Sequence, residues 1–276
     1  MTPAPAPRSD RSGRSDRSDR LRLGGKAWRS RLIIGSGGYR SPTEQRACAK
    51  AAGAQLVTAA VRRVPLGKTQ SAAALAPLPQ SRAYTLLPNS AGCRTAEEAV
   101  RVLRLARAAL GVRLVKLEVC GEDAMLYPDM EETLKAAAIL VGEGFHVMAY
   151  CSDDIVGAQK LDALGCAAIM PLAAPIGSGL GVQNPFALRL LVERCRAPVL
   201  VDAGLGSPAD AAEVMALGCA GVLVNTAIAK ARAPVQMAQA MKLAVEAGRL
   251  GFLAGRMTPQ DKARASSPAA GKITAS

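Results

Sequence analysis

Short apolar runs and helical stretches alternate along most of this chain, and that alternation constrains the fold more than any other feature. The runs occupy residues 32–35, 56–61, 84–87, 114–119, 146–150, 167–172, 199–201 and 221–224. Each is brief and aliphatic, as a strand covered on both faces must be. Ala-, Leu-, Glu- and Arg-rich stretches follow nearly all of them, at 43–52, 95–109, 130–143, 153–164, 185–195, 208–217 and 234–247. Capping residues mark several starts, as in Ser41-Pro42-Thr43-Glu44, Thr95-Ala96-Glu97-Glu98 and Ser207-Pro208, because their side chains accept from the first unpaired helix N–H groups. Gly53, Gly165 and Gly218 mark ends. A strand–helix unit repeated eight times over about 225 residues predicts a parallel sheet closed into a (β/α)8 TIM barrel. A doubly wound sheet shares the rhythm. Its glycine fingerprint is missing after the first run, however: Gly35-Ser36-Gly37-Gly38 lacks the third glycine at the required spacing.

The flanks read differently. Residues 1–20 are Pro/Ala-rich and then repeat Arg, Ser and Asp; with no apolar face to bury, they are expected to be a disordered arm. Residues 21–30, with Gly24-Gly25 at their centre, predict a short hairpin leading into the fold. Residues 21–257 form the catalytic domain in this reading, and 258–276, polar and Ala/Ser-rich, a mobile tail. The stretch 64–83 carries three prolines and reads as a loop.

Composition narrows the function. Half of the residues are hydrophobic but only 3% are aromatic, so the core must be Ala, Val, Leu and Ile, which suits helices packed on a parallel sheet. The net charge is +13, of which residues 1–30 carry +5 and residues from 258 onward +2. The remaining +6 suits a small anionic substrate or an acidic partner without calling for nucleic acid. Seven cysteines stand singly and His146 is the one histidine, so no zinc site is indicated. The odd thiol count favours a reducing, cytoplasmic setting. No apolar run reaches the length of a membrane span.

The chemistry should sit at the C-terminal ends of the strands, and the run 114–119, Leu-Val-Lys-Leu-Glu-Val, is the informative one. Side chains alternate along a strand, so Lys116 and Glu118 share one face while Val115, Leu117 and Val119 share the other. Two charges in a buried strand are paired, solvated or used. A structural ion pair is one reading. The other is a lysine whose charge is partly suppressed by desolvation, with Glu118 opposing that effect, so that the amine can attack a carbonyl. Glu118 and Asp202, at the end of the seventh run, are placed to move protons. Near the last two runs, Gly204 and Gly206 leave backbone N–H groups for an anion, and a helix starting at Pro208 adds its positive end. Asn225-Thr226 offer further donors. These residues make a Schiff-base enzyme for a sugar phosphate plausible and leave ordinary turns and ion pairs open.

Longer segments carry a family resemblance. Val57-Thr58-Ala59-Ala60-Val61-Arg62-Arg63, Leu87-Pro88-Asn89-Ser90-Ala91-Gly92-Cys93, Val115-Lys116-Leu117-Glu118-Val119, Met170 to Gly181, Val201-Asp202-Ala203-Gly204 and Leu223-Val224-Asn225-Thr226-Ala227 occur in this order. Over residues 23–273 the chain resembles the bacterial thiazole synthases of thiamin biosynthesis. The resemblance implies a (β/α)8 transferase that condenses 1-deoxy-D-xylulose 5-phosphate, held as an imine on Lys116, with dehydroglycine from a separate enzyme. Sulfur would come from the C-terminal thiocarboxylate of a ubiquitin-like sulfur carrier protein. Glu118 and Asp202 match acid–base positions; Gly177, Ala203, Gly204, Asn225 and Thr226 match substrate contacts. It implies no metal or organic cofactor, and a homotetramer. The sequence departs from the family in Gly38, where a lysine is usual, with Arg40 close by, and in the acid-free stretch 65–83. An aldolase-like lyase would share the lysine and the phosphate site but not the segment 87–93. A non-catalytic phosphate-binding scaffold would not need Lys116, Glu118 and Asp202 together.

Overall fold

The computed structural model describes residues 19–61, 84–264 and 266. Residues 1–18, 62–83, 265 and 267–276 lie outside them, as do the expectations made for those segments.

The chain enters through a hairpin, β1 (Leu21–Leu23) and β2 (Lys26–Trp28), paired antiparallel with Leu21 opposite Trp28. Gly24 and Gly25 both have positive φ, +56° and +75°, as a tight two-residue turn requires. Eight parallel strands follow: β3 (Leu32–Gly35), β4 (Leu56–Ala60), β5 (Thr85–Asn89), β6 (Leu114–Leu117), β7 (His146–Cys151), β8 (Ala168–Pro171), β9 (Leu200–Val201) and β10 (Gly221–Val224). Their order is β8-β7-β6-β5-β4-β3-β10-β9, and bridges Ile169–Val199 and Leu172–Ala203 join the two ends. The sheet is thus the expected (β/α)8 barrel.

Period-two alternation sorts the side chains into two apolar compartments. Val57, Val115, Leu117, Val147, Val201 and Val224 face outward into a layer shared with Leu103, Leu140, Leu161 and Leu191 of the helices. Ile33, Leu56, Leu87, Met148, Leu200 and Leu223 face inward, and Leu21, Leu23 and Trp28 of the hairpin pack against them. The hairpin therefore plugs the N-terminal mouth, which leaves the C-terminal mouth for polar residues.

The helices are α1 (Pro42–Ala51), α2 (Ala96–Leu110), α3 (Met130–Gly142), α4 (Ile155–Ala163), α5 (Pro185–Arg194), α6 (Pro208–Ala216), α7 (Thr226–Ala229) and α8 (Pro234–Ala254). The caps expected at Ser41, Thr95 and Ser207 are present, each accepting from the N–H three residues on. In α2 the buried Ala99, Leu103 and Ala106 form one stripe against the barrel; truncating fully buried Leu103 to Ala costs about 2–5 kcal/mol. Two differences from the sequence reading have physical reasons. Helix α8 continues past 247 because Gly248 is no terminator: a Cβ there would fall on Ala212 O and 2.7 Å from Met215 Cβ, so this glycine allows α6 and α8 to approach closely. Asp19, assigned to the arm, belongs to the folded body. Its carboxylate accepts from Arg31 Nη2 at 2.8 Å and from Arg249 Nε at 3.1 Å on α8.

Candidate active site

Lys116 occupies the inner face of β6 opposite Asn89 of β5 and Met148 of β7. Glu118 lies just beyond the strand end, where ladder bonds run out. Ser90 replaces them: its Oγ accepts from Glu118 N at 2.8 Å and donates to Glu118 O at 2.9 Å. That fixes Glu118 on the same side as Lys116, and Lys116 Nζ donates to Glu118 Oε2 at 2.6 Å. Barrel closure brings Asp202, at the end of β9, to the other side, with Oδ2 2.8 Å from Nζ. That contact falls outside hydrogen-bonding angles, so it is an ion contact rather than an aligned bond. All three side chains are buried. Lys116 therefore contacts both of the carboxylates expected to share its chemistry.

The electrostatics differ from expectation in one respect. Burial alone lowers the Lys116 pKa, but Asp202 and Glu118 together outweigh it, and the net shift is upward. The amine is therefore a firmly protonated ammonium, not a partly neutral one. Burial raises the Asp202 pKa to about 6, with Lys116 opposing and Glu118 adding to the rise. Two carboxylates around one ammonium leave a buried excess of negative charge, and the raised Asp202 pKa readies it to take a proton. Cys120 lies beside Glu118, Sγ 3.8 Å from Oε1; burial and that carboxylate push its thiol up to about 12, so it is a thiol and not a nucleophile. Cys93 is buried in the outer apolar layer, in keeping with a packing role.

The triad opens into a cavity of about 770 Å³ at the C-terminal mouth. Gly177, Ala203, Gly204, Asn225 and Thr226 all line it. Gly204 has φ +89°, and a Cβ there would meet the Ala174 backbone, so only glycine lets this turn reach the cavity. Gly35 is needed for another reason: a Cβ would lie 2.5 Å from Asn225 Cγ. Asn225 uses that space to donate from Nδ2 to Gly37 O at 2.9 Å, which leaves its buried Oδ1 without a partner. The N–H groups at the start of α6, expected to be open to an anion, already have an acceptor. Asp210 already accepts from the N–H groups of Gly206 and Ser207, at 2.9 and 2.8 Å, so its own carboxylate occupies that helix start. The short helix α7 begins at the cavity. It has no side-chain cap, and Thr226 and Ala227 line the cavity together with Lys230. Arg40 is turned away, donating from Nε to Glu44 Oε1 at 2.8 Å.

Sequence reasoning missed α7, Ser90's bonds to Glu118, and Tyr150, whose ring centroid lies 5.2 Å from Lys116 Nζ. Tyr150 could have been placed inside by alternation from Met148; Ser90's role had no sequence signal. Among the described residues no group of three metal-ligating side chains could hold an ion. Nor is any helix long and apolar enough to cross a membrane.

With this geometry in view, three comparisons agree. The family model "Thiazole biosynthesis protein ThiG" matches residues 22–268. A thiazole synthase of Zymomonas mobilis is 59% identical over 91% of this chain and 97% of its own; one of Methylococcus capsulatus is 54% identical over 91% and 93%. Among solved structures, the Amycolatopsis orientalis BexX/CysO complex aligns at TM-score 0.78 and 36% identity, covering 88% of this chain and 98% of that one. A barrel with this triad, matched over nearly its whole folded length, belongs to the ThiG family of thiazole biosynthesis proteins.

Proposed function

We propose that this chain, which its family places among the thiazole synthases, works through an imine between Lys116 and the ketone of 1-deoxy-D-xylulose 5-phosphate. The observation that carries this reading is the buried ammonium held between two carboxylates at the foot of a substrate-sized cavity. Asp202, with its pKa raised to about 6, takes the proton that Lys116 must lose. The amine nitrogen then adds to the ketone carbon, and the carbonyl oxygen leaves as water after protonation. The resulting iminium draws electrons from the neighbouring carbon. Glu118 or Asp202 removes the proton there, and the carbonyl moves one carbon along to give an aminoketone.

The phosphate is assigned to the end formed by Gly177, Ala203, Gly204 and the start of α7, with Lys230 alongside; Asn225 Oδ1 is free to accept from a substrate hydroxyl. Sulfur enters as the thiocarboxylate of a ubiquitin-like sulfur carrier protein, and a separate enzyme supplies dehydroglycine. A carrier partner is supported by the relative of known structure, which is itself a two-protein complex, and by exposed Leu180 beside Gly179 of the cavity wall. A homotetramer is supported by the exposed Leu243, Leu250 and Leu253 on α8. No disulfide is formed among the described residues, which fits a cytoplasmic setting.

The test is intact-mass measurement after mixing the chain with the ketose phosphate and borohydride, followed by peptide mapping. A reduced adduct on Lys116 is expected. A folded chain that binds the phosphate and yields no adduct refutes the imine.

A further inference from the structure

We propose that Tyr150 is a positioning residue that holds Leu126 as an apolar roof over the Lys116–Glu118 pair. This rests on the imine reading above and extends it to residues outside the triad.

Leu126 has φ +54°, and among the described residues it is the one non-glycine with positive φ. A branched side chain in the left-handed region is strained and persists only where its surroundings over-determine it. Two buried donors do so here. The Leu126 carbonyl accepts from Tyr150 Oη at 3.3 Å and lies 3.6 Å from Cys120 Sγ. The loop that carries it is closed at its neck by the Cys120–Pro128 bridge and by Gly121 N donating to Tyr127 O at 3.0 Å. Its neighbours Met125 and Tyr127 are exposed. The left-handed turn sends Leu126 the other way, into a cluster with Cys120, Tyr150, Leu172 and Ala203, where it lines the cavity beside Lys116 and Glu118.

The residues that hold the roof also touch the reacting groups. The Tyr150 ring faces Lys116 Nζ, and the Cys120 thiol faces Glu118 as well as Leu126. One S–H proton serves one acceptor at a time, so the phenol is the donor that must carry the Leu126 carbonyl. The chemical need is plain. Water adding to the imine carbon breaks the C–N bond and returns ketone and free amine, undoing the first step. A fixed apolar wall on that side makes rearrangement win over reversal.

The partition of the imine can be read directly. Each reversal in oxygen-18 water leaves a labelled ketone oxygen in recovered ketose phosphate, so the quantity is label gained per thiazole formed, less the enzyme-free rate. Tyr150→Phe keeps the ring and the core volume and removes the O–H donor. Leu126→Gly removes the roof and adopts positive φ without strain. In both, label per product should rise about tenfold and kcat should fall about tenfold, the factor one hydrogen bond commands, with KM little changed. Leu126→Gly should do so without lowering Tm, which keeps the test open if Tyr150→Phe folds poorly. An unchanged partition in either folded variant, with only Tm moved, overturns the proposal. If the wild-type chain gives no borohydride adduct on Lys116, the imine reading itself has failed and the roof fails with it.

Discussion

Replacing Lys116 with methionine separates the electrostatics of the triad from its chemistry. The ammonium is buried and contacts two carboxylates, at 2.6 and 2.8 Å. At an effective dielectric of ~20 each contact carries about 6 kcal/mol of Coulomb attraction before the desolvation that largely offsets it. The measurable consequence is the cost of leaving the carboxylates buried and unpaired, about 3–5 kcal/mol. That cost must depend on pH. Among the influences on Asp202, burial and Glu118 raise its pKa and Lys116 lowers it; without Lys116 the pKa climbs beyond about 6. A group whose folded pKa lies above its unfolded value of about 3.9 contributes stability fully below that value and loses it as pH rises through the folded pKa. Lys116→Met should therefore lose about 3–5 kcal/mol relative to wild type at pH 8 and recover most of it by pH 5. Urea unfolding at the two pH values measures this, and borohydride should find no adduct in the variant. An equal deficit at both pH values would show that the carboxylates do not depend on Lys116, and the argument for a charge-coupled triad would fall.

Three further outcomes follow from the same geometry. Asp202→Asn should slow turnover by about 10²–10⁴-fold, the range of general acid–base catalysis, while mass spectrometry still detects an adduct on Lys116; a wild-type rate would move the proton chemistry elsewhere. Gly204→Ala places a Cβ against the Ala174 backbone at φ +89°, so it should lower Tm and raise the KM for the ketose phosphate; unchanged values for both would show that the turn tolerates a side chain. Asp19→Ala frees Arg31 and Arg249 and should cost about 1 kcal/mol at low salt. Because the pKa of Asp19 is lowered in the folded chain, that difference should be present above pH 4 and vanish as pH falls through the folded pKa. A deficit that persists in acid would point to lost packing instead.

Much of this protein was determined by local rules that a sequence carries openly. Period-two alternation put Lys116 and Glu118 on one face of β6 because adjacent side chains in a strand must diverge. Ser41, Thr95 and Ser207 began helices because unpaired N–H groups need a nearby oxygen. Gly24-Gly25 made the hairpin because its turn needs positive φ twice. Asp202 was legible as a polar strand end and, through family resemblance, as a catalytic position. What only the tertiary structure decided is whatever depends on contacts between residues distant in the chain. Lys116 and Asp202 meet because the barrel closes, and the meeting keeps the lysine an ammonium while burial and Glu118 hold the Asp202 pKa up against its pull. Gly248 continues a helix instead of ending it, because α6 presses against that point. The start of α6 is closed because Asp210 already fills it. Leu126 takes a left-handed turn because a phenol 24 residues later holds its carbonyl. In each case the deciding energy comes from a neighbour supplied by folding, and no window of sequence contains it.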